Sequence, residues 1–244
     1  ACFAMCGPMN KIAHITDVVS WNLYLGWYVP GLFLNDLWIH LFHLLYPKRC
    51  LGYSEYGAEG MPNLHSSHPK IGDNSEEYQA HYHEFLLRCF TRHPYLWATH
   101  VWNMFDFASD GRDQGGEPGR NHKGLVTIDR KIKKDSFYLY KAYWSDEPFV
   151  HIASKRYINR TDKKATINVY SNQKHITFIH NGKVIEKDGD KVFTFKIKLE
   201  KENKIEVKSG NLYDVAYIKK VDKPDPSYVN KTGNSHSWEK KDKK

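Results

Sequence analysis

Along the first part of the chain, short apolar runs alternate with longer stretches whose apolar residues return every three or four positions. Residues 1–6, 17–21, 50–54 and 95–104 are short runs and read as strands. Residues 32–46 place apolar side chains at 34, 37, 38, 41, 44 and 45, which is helix spacing. Asn74 with Glu77 resembles a capping pair opening a helix to about residue 92, with Tyr78, Tyr82, Phe85, Leu86 and Cys89 on one face. A last helix is predicted over 135–144, carrying Phe137, Leu139, Tyr140 and Tyr143. Strands alternating with helices argue for parallel βα units. Each run is followed by polar or aromatic residues: Asn22 and Tyr24, Glu55 and Tyr56, Asn103 and Asp106. The C-terminal ends of parallel strands are where βα barrels hold their chemistry. Only about four strands are countable, and a complete barrel takes roughly 200–250 residues, so 1–147 reads as half of a (β/α) barrel.

After Pro148 the pattern changes. Residues 149–154, 165–170, 175–180, 191–199, 204–207 and 212–219 are short strand candidates, and Asn181-Gly182 is a hairpin signal. About six such strands predict an immunoglobulin-like β-sandwich over 148–220. The fold class is therefore α/β followed by all-β. Residues 221–244, from Pro224-Asp225-Pro226 to the closing lysines, are expected to be a flexible basic tail.

Charge sharpens this division. Residues 1–150 carry 14 Lys/Arg and 16 Asp/Glu, a net of −2, and residues 151–244 carry 22 and 12, a net of +10. The first part also holds six of the seven Trp and ten of the fourteen His, so chemistry is expected there. The C-terminal lysines alternate with apolar residues as on a solvated sheet face, without the clustered aromatics of a nucleic-acid platform, so no nucleic-acid partner is expected. No run approaches the ~18 apolar residues of a membrane span. Four cysteines without scaffold spacing point to a reducing compartment. His65, His68, His81 and His83 lack a His-Glu-x-x-His or Cys-pair pattern, so no metal site is expected.

The most informative segment is Gly52-Tyr53-Ser54-Glu55-Tyr56-Gly57-Ala58-Glu59-Gly60. A carboxylate at a strand end among aromatics suits a glycosidase nucleophile, whose transition state is oxocarbenium-like. Spacing alone also permits a surface glutamate opening a loop. Glu59 is the spare acid and has no strand-end position to favour it.

Three further segments, residues 18–28 (Val-Val-Ser-Trp-Asn-Leu-Tyr-Leu-Gly-Trp-Tyr), 100–107 (His-Val-Trp-Asn-Met-Phe-Asp-Phe) and 119–131 (beginning Gly-Arg-Asn-His-Lys-Gly), join Ser54-Glu55-Tyr56-Gly57 in the same order and spacing as the C-terminal half of the catalytic barrel of glycoside hydrolase family 2. The chain resembles that family, which includes bacterial β-galactosidases and β-glucuronidases, through nearly all of residues 1–146. The resemblance implies that Glu55 is the nucleophile at the seventh strand, that Asn22, Tyr24 and Tyr28 flank sugar and nucleophile, and that Trp102 is an aromatic wall. It implies that Asn121 and Lys123 grip a substrate carboxylate where the sugar is a glucuronide, and that the loop 109–120 borders the site.

The expected substrate is a β-linked sugar, first a galactoside and alternatively a glucuronide. A non-catalytic carbohydrate-binding or assembly fragment is the reading from another class. Retaining glycosidases need a second carboxyl as acid/base. In this family it usually sits in an Asn-Glu pair, and this sequence contains none. The chain alone is therefore expected to be inactive, with the missing N-terminal part of the same enzyme as its partner and self-association at the open sheet edge. No cofactor is expected, although some members hold Mg²⁺ or Na⁺ near the sugar. The family's bacterial members imply a cytoplasmic location.

Overall fold

The computed structural model describes residues 2–3 and 7–231. Strands β1 (Cys2–Phe3), β2 (Val18–Asn22) and β3 (Cys50–Tyr56) are followed by β4 (Ala98–Val101), and the four form one all-parallel sheet in sequence order. Helix α1 (Leu34–Leu45) connects β2 to β3, and α2 (Glu76–Arg92) connects β3 to β4. A two-strand ribbon, β5 (Phe107–Ala108) with β6 (Arg120–Asn121), and α3 (Asp135–Trp144) complete this part. The alternation read from the sequence is present. Of the strand expected over 1–6, only Cys2–Phe3 is described, and residues 1 and 4–6 lie outside the described residues.

Helix α2 differs from the expectation in two ways. Its cap is Ser75, whose hydroxyl accepts from the Tyr78 N–H at 3.1 Å, whereas Asn74 lies outside the helix at φ 55°. Its burial is not confined to one stripe: Gln79, His83 and Glu84 are buried along with Tyr82 and Leu86. The reason is tertiary. One side meets the parallel sheet, and another meets the C-terminal sheets, where Tyr170 and Asn168 donate to Glu84 at 2.6 and 2.8 Å.

The C-terminal part has β7 (Val150–Ile152), β8 (Asn159–Arg160), β9 (Lys164–Ser171), β10 (His175–His180), β11 (Lys183–Asp188), β12 (Lys191–Lys198), β13 (Glu202–Ser209) and β14 (Leu212–Lys220). They form a five-stranded sheet, β11-β10-β13-β14-β8, and a three-stranded sheet, β12-β9-β7. Ile167, Phe193 and Phe195 from one sheet and Ile176, Phe178 and Val207 from the other share one core. Strand β11 escaped the sequence reading because it is an edge strand exposed along its whole length, so no alternation marks it. The Asn181-Gly182 turn before it has φ of 47° and 82°, the left-handed pair that a two-residue hairpin requires. Residues 226–228 also depart from expectation. Asp225 caps a short 3₁₀ turn, and Tyr228 accepts from the His65 N–H at 3.0 Å and sets its ring 5.4 Å from Tyr157. An aromatic ring that can be buried anchors what composition alone presents as tail. Residues 232–244 of the expected tail lie outside the described residues.

A buried charge network ties the two parts together. Glu76 and Asp135 lie in the first turns of α2 and α3, where helix dipoles favour anions. Arg156 donates its Nε–H to Glu76 at 2.8 Å and reaches Asp135 at 3.3 Å, and His151 meets Asp135 at 2.9 Å. Burial and the Asp135 charge push the Glu76 carboxyl up to about 7, against the pull of Arg156. Among the described residues no helix is long and apolar enough to cross a membrane. The outer face of α1 leaves Phe33, Leu37, Leu41 and Leu44 exposed.

Removing Arg156 leaves the buried Glu76 without its cation, while Asp135 keeps His151. Arg156→Ala is expected to cost about 3–5 kcal/mol, read as a fall in the urea midpoint with an unchanged slope.

Candidate active site

The site is built on a register shift. Strands β2 and β3 pair in step from Val18 to Trp21, and then a bulge sets Asn22 opposite Glu55. A bulge turns a side chain that regular pairing would send elsewhere. Here the Ser54 hydroxyl donates to Asn22 at 2.7 Å, and the Leu23 N–H donates to the Glu55 carbonyl at 2.8 Å. Strand β3 runs two residues beyond the predicted segment, so Glu55 is its penultimate residue.

The half-buried Glu55 carboxylate accepts a hydrogen bond from the Tyr24 hydroxyl at 2.7 Å. Burial, and then the bond to Glu55, hold the Tyr24 hydroxyl far above the ordinary tyrosine range. It therefore stays protonated and holds Glu55 in one orientation. Hydrogen bonds to ionised acceptors are the strong ones.

Tyr28, one turn on, stacks edge-on against Tyr24 at 5.3 Å and opens a second cluster. Its hydroxyl donates to Gln114 at 2.8 Å and accepts from Lys123 Nζ at 3.0 Å. Lys123 Nζ is also 3.0 Å from Glu59 and lies 5.6, 5.5 and 4.9 Å from the rings of Tyr24, Trp27 and Tyr28. Arg112 pairs with the same Glu59 oxygen, and the His122 N–H donates to the other at 3.1 Å. Burial opposes the Glu59 charge, but Lys123 and Arg112 outweigh it and bring the carboxyl down to about 2. The acid that the sequence reading set aside is thus the buried centre of the cluster.

The remaining expected residues are attached through backbone. The Trp102 N–H donates to the Tyr56 carbonyl at 2.8 Å, which brings the half-buried indole beside the end of β3. Gly57 is required there, since a Cβ would lie 2.1 Å from the Trp102 carbonyl oxygen. The Asn121 side-chain oxygen accepts from the Lys123 N–H at 2.9 Å. Gly124 lets this loop press on Asp106, whose backbone nitrogen would be 2.0 Å from a Cβ. Asn22, Tyr24 and Glu55 therefore form one group. Tyr28, Asn121 and Lys123 form another, with Trp102 at the rim.

Residues missed in the sequence support both groups. Gln79 on α2 donates to the carbonyls of Ala58 and Gly124 at 3.0 and 3.2 Å, pinning the two loops together. Lys134, fully buried, meets Asp106 at 2.8 Å and the His122 carbonyl at 3.0 Å. Arg112 had one signal, a basic residue inside a glycine-rich loop. Gln79 and Lys134 had none, because their partners, backbone carbonyls and the Asp106 carboxylate, lie far away along the chain. The histidines weighed for metal do not converge: His65 pairs with Glu77 at 3.0 Å, and burial brings His83 down to about 3. Asp36, Cys89 and His93 come together elsewhere, with Asp36 bound by His93 at 2.6 Å and by Arg92 at 3.2 Å.

No protein-family model matches the chain. A β-glucuronidase of Bacteroides fragilis is 36% identical over 180 residues, covering 71% of this chain and 26% of that protein. The structure of an FMN-binding β-glucuronidase from Faecalibacterium prausnitzii L2-6 is 43% identical with a TM-score of 0.89, over 93% of this chain and 36% of that one. A Bacteroides uniformis β-glucuronidase covalently bound to cyclophellitol-6-carboxylate aziridine is 29% identical with a TM-score of 0.77, over 90% and 28% of the two chains. The chain thus spans between about a quarter and a third of the length of these relatives.

Because Glu59 titrates near 2 in the fold, below its ordinary 4.5, its contribution to stability is present above pH 4.5 and is lost as the pH falls toward 2. Glu59→Gln is expected to lower stability at pH 7 by about 3–5 kcal/mol. The gap from the parent should close between pH 4.5 and 2 in acid-unfolding curves.

Proposed function

On the premise that this chain is homologous to the β-glucuronidases of glycoside hydrolase family 2, we propose that it is the nucleophile-bearing part of a retaining β-glycosidase. In this reading the parallel strands are half of a (β/α)₈ barrel, and the two C-terminal sheets are an immunoglobulin-like sandwich. The observation that carries the proposal is the Glu55 carboxylate held at a strand end by the Tyr24 hydroxyl.

Glu55 attacks the anomeric carbon as the glycosidic bond breaks, forming a glycosyl-enzyme that water hydrolyses with retention. Tyr24 aims the attacking oxygen. Trp102 gives the sugar an apolar wall. The proton donor to the leaving oxygen needs a pKa near the working pH. Glu59, held ionised down to about 2, is unsuited to that role. The acid therefore comes from another part of the longer enzyme, and this chain by itself is inactive.

The substrate proposed is a glucuronide, in place of the galactoside first expected. The relatives described above are named β-glucuronidases, and local charge points the same way. Lys123 and Arg112 bring two positive charges and Glu59 one negative, so the buried group carries +1. An anionic sugar compensates that charge, and a neutral one leaves it unbalanced.

A glucuronate-configured mechanism-based inactivator applied to the full-length enzyme should label Glu55, read by peptide mass. Labelling at Glu59 overturns the assignment. Lys123→Ala in that enzyme is expected to lower kcat/KM for an aryl glucuronide at least tenfold more than for the matching galactoside, a difference of about 1.4 kcal/mol. Equal losses on both substrates would return the galactoside reading.

A second reading concerns FMN, which the F. prausnitzii relative is described as binding. This chain too would bind FMN, at a site separate from Glu55. The observation in its favour is a cleft of about 470 Å³ between the first turns of α2 and the C-terminal sheets, lined by none of the residues around Glu55.

A further inference from the structure

Asp36, Cys89 and His93 draw together between α1 and α2. Asp36 lies in the first turn of α1, and Cys89 and His93 are four residues apart where α2 ends. That spacing puts both on one face of the helix. One oxygen, Asp36 Oδ1, meets both partners. The Cys89 thiol donates to it at 3.5 Å, and His93 Nε2 lies 2.6 Å from it. The three ligand atoms all lie within 4.8 Å of one another. Arg92 takes the second oxygen, Oδ2, at 3.2 Å, which leaves Oδ1 to the other two. Cys89 is a free, buried thiol, and as a weak donor it gains little from so long a hydrogen bond.

A carboxylate, a thiol and an imidazole converging on one point make a ligand set for a divalent cation of intermediate softness. Hard cations such as Ca²⁺ and Mg²⁺ prefer oxygen throughout. Zinc bonds of roughly 2.0 Å to oxygen and nitrogen and 2.3 Å to sulfur, set at tetrahedral angles, hold the ligand atoms roughly 3.3–3.6 Å apart. The Asp36–Cys89 distance already meets that figure. The His93 ring has to draw back from Asp36 by about 0.7 Å. An outer partner is in place as well, since the Tyr95 hydroxyl lies 2.8 Å from His93 Nδ1 and fixes the ring with Nε2 toward Asp36. Histidines that bind metals are held in this way through their other nitrogen. Asp36 and His93 also line a hollow shared with Phe33, Leu37 and His40, which supplies an entry path.

We propose that Asp36, Cys89 and His93 form a binding site for zinc or a divalent cation of similar softness, with water from the hollow in the fourth position. Binding forms a metal–sulfur bond and releases the thiol proton to solvent. His93 binds as the neutral ring, with its proton on Nδ1 and donated to Tyr95.

The test uses Co²⁺, which occupies zinc sites and reports thiolate ligation through a sulfur-to-metal charge-transfer band. It is titrated into the full-length protein after treatment with a chelator. The parent is expected to show the band, Zn²⁺ to abolish it and Mg²⁺ to leave it unchanged. Cys89→Ser should remove it. Loss of an outer partner alone costs about 10–100-fold in metal affinity, so Tyr95→Phe should weaken Zn²⁺ about tenfold while keeping the band. Asp36→Asn, at a half-exposed position, should weaken Zn²⁺ at least tenfold with a circular dichroism spectrum matching the parent, which separates loss of a ligand from loss of the fold. No band in the parent, or a band that survives Cys89→Ser, overturns the site. So does a Zn²⁺ affinity unchanged in both Asp36→Asn and His93→Gln.

Discussion

An ammonium group removed from water costs several kcal/mol unless a carboxylate and further acceptors meet it. Lys123 is almost entirely buried, and the site is arranged around that constraint. Glu59 supplies the charge, Tyr28 the second acceptor, and three aromatic rings the surrounding surface. Because Glu59 is spoken for by Lys123 and Arg112, it cannot wander toward Glu55 or compete for Tyr24. The two carboxylates, four residues apart in sequence, are thereby separated in role. One is locked and ionised in the interior, and the other is half-exposed and aimed by a tyrosine that stays protonated.

The same physics governs the junction between the two parts of the chain. Glu76 and Asp135 start two helices and end on Arg156 and His151 from the C-terminal part. The packed core follows the same path, since Phe149, Ala153 and Tyr170 belong to the cluster that includes Tyr53 and Tyr82. Helix α2 therefore serves both parts. Its Gln79 fixes the loops of the site, and its Glu84 receives Tyr170 and Asn168.

Much of this was legible in the order of residues. The alternation of apolar runs and helical stretches, the change of pattern at Pro148, and the Asn181-Gly182 hairpin follow from local periodicity and backbone preference, which a sequence carries by itself. Glu55 could be singled out because a carboxylate followed by glycine at the end of an apolar run is a local signal. Its neighbours Asn22, Tyr24 and Tyr28 followed from the resemblance. What the sequence could not carry was the choice of partners. The bulge that faces Asn22 with Glu55, the burial of Glu59 under Arg112 and Lys123, the all-round burial of α2, and the docking of Tyr228 on residues near 65 and 157 depend on contacts between positions far apart in the chain. Which acid is locked in ion pairs and which stays half-exposed is a matter of how much water each loses and which cation reaches it, and only the closed tertiary packing decides that.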